Sequence, residues 1–205
     1  MEEVAKSGPA RPSKRMTGAE RKKRIVEATV EVVAEHGVQG ATTARIAAAA
    51  GISEKTLYAH FASRREMLVA ALDAVFELSR ANFLRRVEGN ALEHLRIAAK
   101  AHWPSEPEYV YPLFEFFASP PREGLRAELK SRNETSIGGL VDIVEQGKAQ
   151  GVIRQDVDSE QVAWEMLSLY WAEDVAYMLG FDDFVSAGRS GLMLERILRE
   201  ISTQP

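Results

Sequence analysis

The chain has 205 residues, of which 45% are hydrophobic, so it can bury a substantial core. It has no cysteine, which excludes disulfides and thiolate zinc sites. It also has no apolar run typical of a membrane span or secretion signal, so we expect a cytoplasmic protein without a membrane partner. Residues 1–65 contain 12 Lys or Arg and 7 Asp or Glu, whereas the remainder contains 14 Lys or Arg and 23 Asp or Glu. The basic N-terminal region suits phosphate binding, but a solvated charged surface explains it equally well.

The N-terminal region predicts an arm followed by a long helix. Residues 1–18 combine proline, glycine and basic residues without apolar periodicity, so we predict a flexible arm, with contact to DNA as the alternative. From Ala19 to His36, apolar residues recur at helical spacing. Gly37 follows where a left-handed residue commonly ends a helix, so we predict that the first helix ends there.

Two short helices are predicted next. Thr42 or Thr43 can cap an alanine-rich helix that ends at Gly51. Ser53 can cap a third helix of about two turns, over residues 54–61. Because two such short helices bury little by themselves, we expect them to pack against the first helix and form a three-helix head. The glycine between them suits the tight turn of a helix-turn-helix, whose second helix enters the major groove of DNA.

The rest of the chain predicts helices and no convincing strand. Gly138 and Gly139 fall within one of them, where each glycine costs about 1 kcal/mol against alanine, so we expect a kink or a close helix crossing there. The predicted helices cover about residues 64–87, 90–101, 110–118, 122–150, 159–179 and 182–201.

Five short strings occur in order between residues 24 and 71, and together they resemble the N-terminal domain of the TetR family of bacterial repressors. The resemblance covers about a quarter of the chain, and the remainder matches that family only in helical layout and in the Gly151-Val152-Ile153-Arg154 turn. The strings are His36-Gly37, Thr42-Thr43-Ala44-Arg45-Ile46-Ala47, Gly51-Ile52-Ser53, Thr56-Leu57-Tyr58-Ala59-His60-Phe61 and Ser63-Arg64-Arg65-Glu66-Met67-Leu68.

The resemblance implies an all-α fold with two unequal domains. A helix-turn-helix DNA-binding domain over residues 19–65 would precede a larger helical ligand-binding and dimerisation domain over residues 66–205. The implied function is that of a transcriptional regulator, a repressor that a small hydrophobic or aromatic effector releases from palindromic operator DNA. A DNA-binding regulator without a small-molecule ligand is the alternative.

The same resemblance implies a set of DNA-binding residues on and around the third helix. Glu54 and Lys55 depart from the common pattern, in which lysine and glycine are frequent. Glu54 can accept from cytosine N4 and Lys55 can donate to guanine, although both could instead serve helix-end electrostatics. Instead of contacting DNA, Tyr58 could pack in the core and Arg64 could form an ion pair within the protein. The predicted contacts are Thr42, Thr43, Ser53, Glu54, Lys55, Thr56, Tyr58, His60 and Arg64.

The body carries two further predictions. Apolar residues on two faces of the penultimate helix, and small ones in the last, indicate a homodimer through these two helices, with packing inside one chain as the alternative. Aromatic residues predict an effector pocket, although aromatic stripes are more often plain core. The pocket candidates are Trp103, Phe114, Phe117, Trp164 and Trp171.

An enzyme is the rival class, and the sequence gives it little support. The chain has no glycine-rich phosphate loop and no His-Glu-x-x-His string. Its four histidines, at positions 36, 60, 94 and 102, lack metal-ligand spacing. We therefore expect no catalytic residue, no metal and no cofactor.

Overall fold

The computed structural model describes residues 16–83, 89–102, 110–181 and 183–204, and these form helices without any strand. The all-α prediction is therefore confirmed. A 3₁₀ turn, Pro121–Glu123, precedes the seventh helix. In chain order the helices are α1 (Gly18–Gly40), α2 (Thr43–Ala50), α3 (Glu54–Tyr58), α4 (Arg64–Phe83), α5 (Ala91–His102), α6 (Val110–Phe117), α7 (Arg126–Ala149), α8 (Ser159–Met178), α9 (Asp183–Ser186) and α10 (Arg189–Ile201).

The local sequence correctly predicts the break in α1 at Gly37, the caps of α2 and α3 and the end of α2, with one exception at the end of α3. Gly37 has φ 70° and interrupts the helical path of α1, and one more turn leads to Gly40. The side chains of Thr42 and Ser53 cap α2 and α3 by accepting backbone N–H groups. The exception is the end of α3 at Tyr58, three residues earlier than predicted. The chain turns there because the Phe61 side chain is buried in the head.

The close helix crossing predicted at Gly138 and Gly139 is not found at Gly138. Helix α7 runs through both glycines, and a Cβ atom added at Gly138 would meet no neighbour within 4 Å. The close approach lies at Gly147, where an added Cβ would overlap the Ile153 side chain and lie 2.9 Å from the Ala91 Cβ. The absence of a side chain at Gly147 therefore lets α5 and the turn after α7 pack tightly.

The last predicted helix is two helices. Gly188 takes a left-handed conformation with φ 74°, which separates α9 from α10. Beyond α10 the chain returns to the turn before α8: the Arg154 N–H donates to the Ile201 carbonyl (2.9 Å) and the Thr203 N–H to the Val152 carbonyl (3.1 Å). The end of α10 is thereby joined to the turn between α7 and α8.

Within the described residues, two hydrophobic clusters form the core, and the first crosses the predicted domain boundary at residue 65. It unites head residues such as Val33 and Leu57 with Phe116 of α6, with Leu125 just before α7 and with Leu129 of α7. The second cluster joins α5, the C-terminal half of α7, α8 and α10. The head is thus packed directly onto part of the body.

Candidate nucleic-acid interface and cavity

Helix α3 presents one buried and one exposed face. Leu57 is fully buried in the first cluster, whereas the next residue, Tyr58, is 50% exposed. Lys55 is also exposed. Packing of the head therefore fixes α3 through Leu57 and leaves Tyr58 and Lys55 facing solvent.

The remaining predicted contacts surround this exposed face. Thr42, Ser53 and Glu54 are exposed, and Thr43, Thr56 and His60 are half-buried. The Ser53 and Thr56 hydroxyls share a hydrogen bond of 2.9 Å. Nearby, the Arg24 Nε donates to the Ala50 carbonyl (2.9 Å) and so ties α1 to the end of α2.

One contact bridges the starts of α2 and α3. The Thr43 Oγ1 donates to the Glu54 Oε2 across 2.6 Å. A hydroxyl carries a single proton, so Thr43 has no further proton to donate in this arrangement. Sequence reasoning treated the two residues separately because they lie 11 positions apart.

Three of the five N–H donors of the Arg64 guanidinium are used within the protein. Its Nε donates to the Ala41 carbonyl (2.8 Å), its Nη2 to the Val38 carbonyl and its Nη1 to the Glu123 carboxylate (2.7 Å). These partners lie 23, 26 and 59 positions away, so the local motif could not reveal them. Arg64 instead joins the end of α1 and the turn before α7 to the start of α4.

Further ion pairs run along the contact between α4 and α7. Arg65 contacts Glu128 (3.1 Å), and Arg132 contacts both Glu128 (3.0 Å) and Asp73 (2.5 Å). Hydrogen bonds from Arg132 and Arg65 hold the pKa of the Glu128 carboxyl below its ordinary value. Together these pairs fix the lateral position of α7 on α4.

A cavity of about 490 Å³ lies between α6, α7 and α8, and it brings together three of the five predicted pocket residues. These are Phe114 and Phe117, whose rings meet edge to face at 5.6 Å, and Trp171. Sequence reasoning missed the residues from α7, although their spacing places them on one helix face. They are Arg126, Leu129 and Asn133.

The other two predicted pocket residues do not join this cavity in the structure. Trp103 lies outside the described residues. Trp164 contacts the Trp171 ring edge to face at 6.3 Å but lines a different groove, between α8 and α10. The reason is its position two turns earlier on α8, about 10 Å along the helix axis and beyond the walls that α6 and α7 supply.

Large apolar side chains are exposed on the outer face of α8 and α10. Leu192 is 71% and Met193 51% exposed on α10, and Trp164 is exposed on α8. Within the described residues, no group of His, Asp and Glu could hold a metal ion. The described helices also include none with the length and apolarity needed to cross a membrane.

Comparisons with known proteins give a consistent result. The profile of the family described as "Bacterial regulatory proteins, tetR family" matches residues 25–71. The HTH-type transcriptional repressor KstR2 of Mycobacterium tuberculosis is 31% identical over 152 residues, which cover 69% of this chain and 74% of that protein.

Solved structures extend the similarity to most of the fold. A TetR-family transcriptional regulator from Rhodococcus sp. aligns with a TM-score of 0.77 at 24% identity, covering 90% of this chain and 100% of that one. The structure of the ketosteroid transcriptional regulator KstR2 of Mycobacterium tuberculosis aligns with a TM-score of 0.61 at 25% identity, covering 90% and 96%.

Replacing Arg64 with alanine should destabilise the protein by about 2 kcal/mol, because two carbonyls and the Glu123 carboxylate lose a charged donor. Urea unfolding followed by circular dichroism measures this change in the free energy of unfolding. The control is Lys55→Ala, whose exposed side chain should contribute less than about 0.5 kcal/mol. Equal unfolding midpoints for the two variants would contradict the role given to Arg64.

Proposed function

The chain belongs to the TetR family of bacterial regulatory proteins and is therefore a DNA-binding transcriptional regulator; we propose that it is a repressor that a small apolar effector releases from a palindromic operator. The observation that carries this proposal is α3, anchored by the buried Leu57 with Tyr58 and Lys55 exposed. A regulator of this kind needs no catalytic residue. We also place it in the cytoplasm, where bacterial DNA lies.

We propose that α3 enters the major groove and that its exposed residues contact DNA. Lys55 supplies a cation and Tyr58 a ring and hydroxyl at the exposed face, and both types of side chain contact phosphates or base edges. Exposed hydroxyls at Thr42 and Ser53 flank this face and suit the sugar-phosphate backbone. Thr56 and His60, both half-buried, complete the proposed surface. Arg64 is omitted because three hydrogen bonds hold its guanidinium against α1 and the turn before α7.

Replacing Lys55 with alanine should weaken operator binding about tenfold, because a charged contact is lost. For the unchanged protein, affinity should fall at least about a hundredfold between about 50 and 200 mM salt, because phosphate contacts release counterions. Fluorescence anisotropy of a labelled operator, isolated first by selection from random duplexes, measures both effects.

The matched control for this experiment is Lys130→Ala. Lys130 is an exposed lysine of α7 that pairs with Glu134 and lies outside the proposed DNA surface. The Lys130→Ala variant should bind the operator with the same affinity as the unchanged protein. An affinity that does not depend on salt, or equal losses in the two lysine variants, would contradict the proposed interface.

We propose that a second copy of the chain covers the outer face of α8 and α10. Two recognition helices reach successive major grooves of a palindrome only when a dimer holds them about one DNA turn, roughly 34 Å, apart. The exposed side chains Trp164, Leu192 and Met193 supply the apolar surface that such an interface needs. The packing of α10 against α8 in the second cluster lets both helices present one surface.

Met193→Glu should convert the dimer into a monomer at micromolar concentration, because it places a charge in the proposed apolar interface. Sedimentation velocity measures the change. The matched control is Met16→Glu, which adds the same charge at an exposed methionine of the head and should leave the dimer intact. A monomer before any substitution would rule out the two-fold arrangement.

We propose that the cavity between α6, α7 and α8 binds the effector. Its volume of about 490 Å³ lies within the range of known small-molecule sites. The rings of Phe114, Phe117 and Trp171 favour an apolar molecule that contains rings, and Arg126 and Asn133 supply polar anchors. A relative described as a ketosteroid transcriptional regulator supports this chemical class.

A compound that releases the operator should also quench tryptophan fluorescence, because it would lie against the Trp171 ring. The test is titration with a panel of polycyclic ketones, aromatic acids and aliphatic acids. The quenching should vanish in Trp171→Phe and persist in Trp164→Phe, whose ring faces the other groove. If no member of the panel either quenches or releases DNA, a regulator without a small-molecule ligand becomes the better description.

A further inference from the structure

The side chains of Thr43 and Glu54 form a unit on the proposed DNA surface. Each is the first residue of its helix, α2 for Thr43 and α3 for Glu54, and the hydroxyl donates to the carboxylate across 2.6 Å. In the part of the chain that the structure describes, this is the one hydrogen bond made by the Glu54 side chain. One carboxylate oxygen, Oε2, is thus held, and the other, Oε1, remains an open acceptor on an exposed side chain.

The chemistry of a carboxylate limits what Oε1 can contact in the major groove. An ionised carboxylate only accepts hydrogen bonds, and the base-edge donors in that groove are the amino groups of cytosine and adenine. Guanine presents two acceptors, and thymine presents an acceptor and a methyl group, so neither base offers a hydrogen-bond donor to the carboxylate oxygen. Adenine carries the N7 acceptor beside its amino group, whereas cytosine does not. Cytosine is therefore the base that best fits a single carboxylate oxygen.

Holding the carboxylate in place strengthens this selectivity. A free glutamate loses rotamer freedom when it contacts a base, and that loss opposes binding. The Thr43 hydroxyl restricts Glu54 before DNA arrives, so less freedom remains to be lost. It also holds Oε2 at a fixed point, so that Oε1 is presented in a defined position.

We infer that Thr43 positions the Glu54 carboxylate so that Glu54 selects cytosine at one position of each operator half-site. This inference rests on the proposed function, because it needs α3 in the major groove. Glu54 is a specificity-determining residue in this arrangement, and Thr43 acts through it. A glutamate at a helix start commonly serves only to interact favourably with the helix dipole. If that were the role of Glu54, its substitution would change the stability of the protein and leave the base preference unaltered.

The test is selection of binding sites from a pool of random duplexes, using the full chain, followed by sequencing. The unchanged protein should prefer cytosine about tenfold at one position of each half-site. In Glu54→Gln the preference at that position should move to adenine, because the glutamine amide can pair with adenine N6 and N7. The other positions should remain as before.

Two further variants complete the experiment. Thr43→Val keeps the shape of the side chain but removes the hydroxyl, and it should lower the cytosine preference several-fold at the same position without favouring another base. Glu134→Gln removes an exposed carboxylate from α7, outside the DNA surface, and should select the same sites as the unchanged protein. Thermal unfolding checks that each variant is folded.

The possible failures can be told apart. If Glu54→Gln retains the cytosine preference, or changes affinity equally for all sequences, the inference is overturned while the proposed function stands. If Thr43→Val selects the same sites with the same preference, the positioning role of Thr43 is overturned. If the unchanged protein enriches no sequence at all, the proposed function itself fails and the inference fails with it.

Discussion

The packing of Phe116, Leu125 and Leu129 against the head is the contact on which the arrangement of this protein depends. These body residues share one buried cluster with Val33 and Leu57, so the three N-terminal helices are not a separate module on a linker. Burial of apolar surface gives the attachment its strength, and the three hydrogen bonds of the Arg64 guanidinium give it direction. The angle between α3 and the body follows from both.

The same cluster forms a wall of the body cavity. Leu129 belongs to the cluster and lines the cavity, while Phe114 and Phe117 line the cavity and pack against the cluster. A molecule held there would touch side chains that support the head. By linkage, an effector that weakens DNA binding must bind more tightly to the arrangement of heads that does not fit DNA. Shared side chains give such an effector a short physical route to the heads.

The sequence predicted the features that depend on neighbouring residues and missed those that depend on distant ones. The caps at Thr42 and Ser53 and the interruption at Gly37 arise from local chemistry, so they could be predicted. The internal use of Arg64 could not, because its partners are remote in sequence. Likewise, glycine composition pointed to Gly138, whereas the close approach at Gly147 depends on which helix lies opposite. In the cavity, the aromatic residues were evident, but α7 could be recognised as a wall only from the packing.

The hydrogen bonds that join Arg154 to Ile201 and Thr203 to Val152 have a consequence for how two copies would move together. These bonds tie the end of α10 to the turn between α7 and α8, so α10 cannot slide past this turn without breaking them. The surface that α10 contributes to an interface between two subunits would then keep its shape. A change in the spacing of the two DNA-reading helices could then arise on the opposite side of the body, through α4, α6 and the first turns of α7.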